Sequence, residues 1–342
     1  MDFGSMTSLL LCRENGIREH AMNDPLNSLP VESSLVRRLL AGEFALTAEV
    51  TPPVSAGPAE LLEKSAPLKG LVDAVNVTDG AGARVHMSSL AAASILNANG
   101  IEPVVQLTCR DRNRIALMGD LLGIGALGIH NLLVLTGDDP KAGDQPDAKP
   151  VFDLQSAELL AVAHEMTANG FIQSKTAKLT NEGVQPNTKT ISTPPKFFIG
   201  AADTPIAEIE EKWLAGLRKK QACGTRFIQT QLNYDMNIVR QYSKILVDQG
   251  FTEHMFFLIG NGPLPSAKSA IWMRDNLWGV VVPDDIIHRL DQAKDPKEEG
   301  IQICAQQVQE MAEMPGVAGV HLMAPVNVPA IPVAIERANL AR

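Results

Sequence analysis

The strongest constraint on this chain is a repeated alternation that begins at Phe44. Eight short runs rich in Val, Ile, Leu and Phe lie at 44–50, 71–77, 103–107, 130–135, 196–200, 226–231, 254–260 and 319–323. Helical patterns separate them near 57–67, 86–98, 112–122, 155–168, 205–222, 236–249 and 265–277, with a last one near 328–340. The runs lack clean polar alternation, which marks strands buried on both faces and hence a parallel sheet. Strands alternating with helices mark βαβ units. Eight such units predict an α/β fold, a single (β/α)8 TIM-type barrel. A doubly wound sheet is the alternative. It would use fewer strands and place a glycine-rich turn after the first one. Here the first run is followed by Thr51-Pro52-Pro53, which cannot cradle a pyrophosphate.

The rhythm sets the expected boundaries. Residues 1–40 read as an N-terminal extension with a helix around 31–40, and residues 41–342 as the barrel. Two segments interrupt the alternation. The stretch 174–195 is polar and rich in Lys, Thr, Asn and Pro. It precedes the fifth run, on the side of the barrel away from chemistry, and reads as a surface insertion, with a lid as the alternative. Residues 279–314 predict extra helices before the last strand, with a charged loop at 295–299.

Composition excludes several classes. The chain has 342 residues, 45% of them hydrophobic, enough for a large core. A net charge of −9 with no basic run argues against nucleic acid and anionic membranes as partners. Aromatics are 4%, too few for a base-stacking platform. The densest apolar stretch, 121–135, is broken by His130 and Asn131 and is no membrane span. The leucine patch at 9–11 lacks a basic flank and a cleavage site, so a signal peptide is not expected. Cys12, Cys109, Cys223 and Cys304 form no CxxC pair, which suits reduced thiols in the cytoplasm. There is no HExxH motif or P-loop, and no metal site is expected. Gly123-Ile124-Gly125-Ala126-Leu127-Gly128 matches GxGxxG but follows a helix and precedes a strand, the reverse of a dinucleotide fingerprint.

In such a barrel the chemistry lies at the C-terminal ends of the strands. That rule selects Glu49, Thr78-Asp79-Gly80, Gln106-Leu107-Thr108-Cys109 with Arg110 to Asn113, and Thr136-Gly137-Asp138-Asp139. It also selects Gly200-Ala201-Ala202, Thr230-Gln231 with Asn233-Tyr234-Asp235, Gly260-Asn261-Gly262 and Met323-Ala324-Pro325. Each has a structural alternative. Glu49 could be a solvated strand end, Asp138 and Asp139 turn caps, and Gln231 a satisfied interior amide. Arg110 and Arg112 could be surface charges, and His321 reads as a packed core residue. No predicted strand ends in lysine, and none brings histidine together with carboxylates, which disfavours a Schiff-base or metal-dependent lyase.

Taken together, four strand-end segments resemble the methylenetetrahydrofolate reductase family. They are Ala48-Glu49-Val50-Thr51-Pro52-Pro53, Gln106 through Asn113, Leu135-Thr136-Gly137-Asp138, and Phe227-Ile228-Gln229-Thr230-Gln231 with Asp235. Their order and spacing agree over about residues 44–340. The resemblance implies a (β/α)8 barrel holding FAD, which takes hydride from NADH or NADPH and passes it to 5,10-methylenetetrahydrofolate to give 5-methyltetrahydrofolate. The sequence leaves the physiological direction and a homo-oligomeric state open.

The same resemblance implies residue roles. Glu49 would protonate folate N10 as the five-membered ring opens, since a carboxyl sheltered at a barrel mouth can hold a proton near neutrality. Asp138 would favour the cationic iminium. Gln231 would read the pterin edge, with Tyr234 beside it. Thr78, Gln106, Thr108, Arg110, Thr136, Gly137, Asp138, Ala201 and Lys220 would meet the flavin, with Lys220 facing its pyrophosphate. This chain departs from the family pattern in having Gln106 for a histidine, Thr136 for an arginine, Trp213 for an acid, and Met323-Ala324-Pro325-Val326-Asn327 at the last strand. The departures imply rebuilt contacts, with Arg110 or Arg112 as replacements. They admit a flavin-independent reductase of the same substrate, or a non-catalytic folate-binding subunit.

Overall fold

The computed structural model describes residues 29–180, 183–324 and 327–340. Eight parallel strands close into a barrel: β1 (Ala45–Val50), β2 (Ala74–Val77), β3 (Pro103–Thr108), β4 (Asn131–Leu135), β7 (Phe198–Asp203), β8 (Phe227–Leu232), β9 (Phe256–Asn261) and β10 (Gly319–Leu322), with β10 pairing back onto β1. This is the predicted (β/α)8 barrel. The second run starts as a strand only at Ala74, because 71–73 form the turn that leads into it. The fifth extends beyond its predicted end at 200 to Asp203.

Helices α1 (Ser34–Leu40), α2 (Ala59–Ser65), α3 (Ser89–Ala98), α4 (Arg114–Ala126), α5 (Ser156–Ala168), α6 (Glu211–Ala222) and α7 (Met236–Asp248) follow the predicted pattern. Between β9 and β10 lie the expected extra helices α8 (Ala267–Asn276), α9 (Asp284–Gln292) and α10 (Pro296–Ala312), and α11 (Ala330–Ala338) closes the ring. The polar insertion is an antiparallel hairpin, β5 (Phe171–Thr180) with β6 (Gly183–Thr190), reached from α5 at the N-terminal end of the barrel. Among the described residues, no helix is long and apolar enough to cross a membrane. Cys109, Cys223 and Cys304 are free and buried; Cys12 lies outside the described residues.

Two apolar layers hold the barrel. The outer one joins strands to helices through residues such as Leu46, Val105, Leu132, Ile228 and Leu246. The inner one fills the lower barrel with Ala45, Ala74, Val104, Leu133, Phe198, Phe227 and Leu258. Phe198 and Phe227 stack with centroids 4.6 Å apart. Gly200 makes room for this pair, since a Cβ there would lie 2.2 Å from the Phe227 ring. Leu29 and the α1 residues Leu35, Val36 and Leu39 belong to the same cluster, so α1 plugs the barrel floor. Burying each large side chain of that plug stabilises the fold by about 1.5–3 kcal/mol.

The plug is fastened by polar contacts. Ser33 caps α1 by accepting from the Val36 amide at 3.1 Å. The Glu102 carboxylate, just before β3, accepts from the Ser33 hydroxyl (2.7 Å), the Ser34 amide (2.6 Å), the Leu35 amide (3.2 Å) and the Asn131 side chain (2.9 Å). The floor thus satisfies the free amides of a short helix with a strand-borne carboxylate.

Candidate active site

Inward-facing positions alternate along each strand. Above the apolar layer of β1, β2, β8 and β10 they carry Thr47, Asn76, Gln229 and His321, all buried. Gln229 and Asn76 exchange two side-chain hydrogen bonds, at 2.6 and 3.0 Å. The Gln229 amide also donates to the Thr47 hydroxyl at 3.0 Å, and the Thr47 hydroxyl lies 3.0 Å from His321 Nδ1. The Gln229 amide nitrogen also lies 3.4 Å from Nδ1.

His321 Nε2 faces Glu49 Oε2 at 3.7 Å. Glu49 is the next inward residue of β1 after Thr47, and Thr47 is the register partner of His321. The same carboxylate oxygen accepts from the Gln106 amide at 2.9 Å. Among the described residues, Oε1 takes no hydrogen bond. The side chain is 20% exposed, so the carboxyl is sheltered by the barrel yet open on one side. Thus a histidine does meet a carboxylate at a strand end. The strand-by-strand reading missed it because the pair forms only when the last strand closes on the first.

The turns after β2, β3 and β4 interlock beside Glu49. The Thr78 hydroxyl is buried without a partner. Asp79 accepts from the Thr108 amide and hydroxyl, both at 2.8 Å, and pairs with Arg112, which also reaches Asp120 at 3.1 Å. Arg110 is buried. It binds Asp111 through two nitrogens (2.8 and 2.7 Å) and donates to the carbonyls of Gly80 (3.3 Å) and Asp138 (3.4 Å). The Asp111 bond raises the affinity of this guanidinium for its proton further. Gly80 and Gly137 have positive φ, and Arg110 covers both: a Cβ on Gly80 would lie 2.4 Å from its Nη2, and one on Gly137 would lie 3.0 Å from its Cβ. The exposed Asp138 carboxylate accepts from the Gly82 amide at 2.9 Å. Thr136 is exposed and donates to Ser156 at 3.3 Å.

At the far rim, the Gln231 amide donates to the Trp278 carbonyl (3.1 Å) and its oxygen accepts from the Leu232 amide (2.9 Å). Its side chain thereby anchors the segment carrying Trp278, which is 84% exposed. Tyr234, expected beside Gln231 as a substrate contact, is instead buried among Leu232, Leu264, Ile286 and Leu290, and its hydroxyl donates to the Gly262 carbonyl at 3.0 Å. The chain turns inward under α9 there, so the ring offers no surface to a ligand. Asp235 caps α7 through the Asn237 and Ile238 amides.

Lys220 and Ala201 also lie apart from the Glu49 cluster. Ala201 points into the helix-facing core. The Lys220 ammonium is 2.9 Å from Asp203 Oδ1 and donates to the Ala202 carbonyl at 2.7 Å. The other Asp203 oxygen accepts from Trp213 Nε1 (3.1 Å) and the Tyr242 hydroxyl (2.8 Å). Asp203 lies three residues past the predicted end of the fifth run, and the longer strand sets a carboxylate at its end. Pro325 and Val326 of the last-strand segment lie outside the described residues. Among the described residues, no group of three or more His, Cys, Asp or Glu side chains could hold a metal ion.

A family model described as methylenetetrahydrofolate reductase matches residues 35–338. No curated protein sequence matches the chain. Among solved structures, one described as an uncharacterized protein from Clostridium thermocellum that binds two copies of 5-methyl-5,6,7,8-tetrahydrofolic acid is similar with a TM-score of 0.56 and 12% identity, over 89% of this chain and 97% of that one. A tryptophan synthase from M. tuberculosis gives a TM-score of 0.43 and 12% identity, over 88% of this chain and 94% of that one. At 12% identity the likeness to the Clostridium thermocellum protein is one of fold.

Proposed function

The chain belongs to the methylenetetrahydrofolate reductase family, and from that premise we propose that its barrel mouth reduces 5,10-methylenetetrahydrofolate to 5-methyltetrahydrofolate with hydride from NADH or NADPH. The observation that carries this reading is the Glu49 cluster. One carboxylate oxygen is fixed by Gln106 and faced by His321 Nε2, and the other accepts no hydrogen bond from the described residues. A group held this way can present a proton in one direction, as general acid catalysis requires.

In the proposed reaction Glu49 protonates folate N10. The five-membered ring opens to an N5 iminium, and the methylene carbon accepts hydride. Gln106 and His321 keep the carboxyl aimed, and the buried network beneath them holds the His321 ring in place. Asp138, at the rim, places negative charge on the side where the cation develops. Gln231 trades its bond to the Trp278 carbonyl for the pterin edge, an exchange suited to an amide that both donates and accepts.

The resemblance also implies FAD as an intermediate carrier. Apart from the unpartnered Thr78 hydroxyl, the side chains that would hold its polar parts are bonded to other groups of the chain and do not fit it, so no step here passes through a flavin. The test is direct: purified protein, methylenetetrahydrofolate and NADH or NADPH, with the product identified by chromatography. Formation of 5-methyltetrahydrofolate is expected. Folate binding without turnover under any hydride donor would reduce the chain to a binding subunit.

A further inference from the structure

We infer that hydride passes directly from the nicotinamide to the folate within one ternary complex, because the positions that would cradle a flavin dinucleotide form an internal polar brace in this chain. The inference rests on the reductase reading and specifies its hydride donor.

A resident flavin dinucleotide stays on the protein through every turnover, so its pyrophosphate needs standing cations or free backbone amides, whereas a nicotinamide dinucleotide that leaves after each turnover needs no such standing cradle. The cations at the positions the resemblance assigns to the flavin, and Arg112 and Arg114 beside them, are engaged. Lys220 pairs with Asp203, Arg110 with Asp111, Arg112 with Asp79 and Asp120, and Arg114 with Asp153. The Lys220 pair is the most telling. Asp203 is only 7% exposed on its side chain and is held by Lys220, Trp213 and Tyr242 together. The two rings support each other, with centroids 5.7 Å apart. Drawing Lys220 toward a phosphate would leave Asp203 a nearly buried charge with neutral donors only, and would set the phosphate's negative charge beside it. Both changes are unfavourable in a poorly solvated place.

The ring end tells the same story. A three-ring flavin approaches a glycine turn because that turn lacks side chains. Here Arg110 occupies the space beside both Gly80 and Gly137, fixed by Asp111 and two carbonyls. What stays unbonded there is the Thr78 hydroxyl and one oxygen of Glu49, and a nicotinamide carboxamide carries an N–H and a carbonyl to meet such groups.

The step balances without another carrier. Glu49 gives its proton to N10, and the bond from N10 to the methylene carbon breaks. Hydride, one proton with two electrons, leaves nicotinamide C4 and bonds to that carbon. The nicotinamide is oxidised, the folate becomes the N5-methyl form, and solvent returns a proton to Glu49.

The decisive experiment measures flavin binding and turnover separately on the full-length protein. Titration with FAD, followed by its fluorescence, is expected to show no saturable binding. Added FAD should leave the rate unchanged. Initial-rate lines should intersect, and deuterium from C4-labelled NADH or NADPH should appear in the product methyl group with no flavin present. Stoichiometric flavin that bleaches with the nicotinamide, or parallel initial-rate lines, would overturn direct transfer while leaving the reductase reading intact. A protein that neither binds FAD nor turns over folate would remove both.

Lys220→Met gives a second, activity-free readout. A brace predicts a melting temperature lower by several degrees and no change in behaviour toward FAD. A loss of FAD affinity in the variant would make Lys220 a pyrophosphate ligand and overturn the inference.

Discussion

Two glutamates at opposite ends of the barrel show how one residue type serves two purposes. Glu102, at the N-terminal end of β3, accepts four hydrogen bonds from Ser33, Ser34, Leu35 and Asn131. Glu49, at the C-terminal end of β1, accepts one, with His321 Nε2 at 3.7 Å and an oxygen left over. A saturated carboxylate holds structure together; one with spare capacity can exchange a proton with a ligand. A cavity of about 300 Å³ opens at the floor, beside Glu32, Glu102 and His130. Its size does not make it the site, because the Glu102 carboxylate and the Asn131 amide there are already bonded to each other and to α1. The contrast follows the division of labour in this fold, with stability below and chemistry above.

The comparison is broken most easily at the mouth. Glu49→Gln keeps the acceptor for Gln106 but removes the proton donor. Folate turnover should fall by about 10²–10⁴-fold, with the melting temperature unchanged and the nicotinamide still bound. Wild-type turnover in this variant would strip Glu49 of the acid role and leave the two ends equivalent.

Glu102→Ala is the mirror experiment. It leaves the Ser34 and Leu35 amides without their acceptor, takes one of two acceptors from the Asn131 side chain, and loosens the plug over Phe198 and Phe227. A loss of about 3 kcal/mol is expected in denaturant unfolding, with kcat/KM for the folate unchanged. A fall in kcat/KM at temperatures where the variant is fully folded would mean that the floor is coupled to the chemistry.

His321→Asn sharpens the picture within the mouth. His321 acts through Glu49 and touches no substrate, so it is a positioning residue. Its loss should lower kcat by about tenfold while the KM for folate stays constant. A change in KM alone would place the imidazole against the ligand.

How legible this was in the sequence depends on the range of each interaction. The barrel could be read because strands buried on both faces leave continuous apolar runs, such as that of β3, and these need no knowledge of their neighbours. Glu49 and Gln106 could be found from the strand-end rule. His321 could not be joined to them, because its contact with Thr47 spans 274 positions and depends on the closing register of β10 against β1. Tyr234 and Lys220 kept the right residue type at the right spacing, yet their partners Gly262 and Asp203 drew them into structure. The helix α1 looked like part of an extension because a seven-residue amphipathic segment gives no sign of the surface it will cover.

Ser33 offers the smallest and most discriminating test of the floor. Its oxygen accepts from the Val36 amide, and its hydroxyl lies within donating distance of Glu102 and of Asn131 Oδ1. Ser33→Ala removes these contacts and should cost about 1 kcal/mol, the usual value of a lost helix cap. Ser33→Asp separates the two contributions. Aspartate caps a helix as well as serine does, so if capping were the whole effect this variant would match the wild type. It also sets a second carboxylate against Glu102 in a partly buried place, where like charges repel. The structure therefore predicts Ser33→Asp to be less stable than Ser33→Ala at neutral pH and to regain ground as the pH is lowered and the pair takes up a proton. Urea unfolding of the three proteins at two pH values reads this directly. If Ser33→Asp is instead as stable as the wild type at neutral pH, Glu102 does not hold the plug through Ser33, and the contrast between the two glutamates weakens.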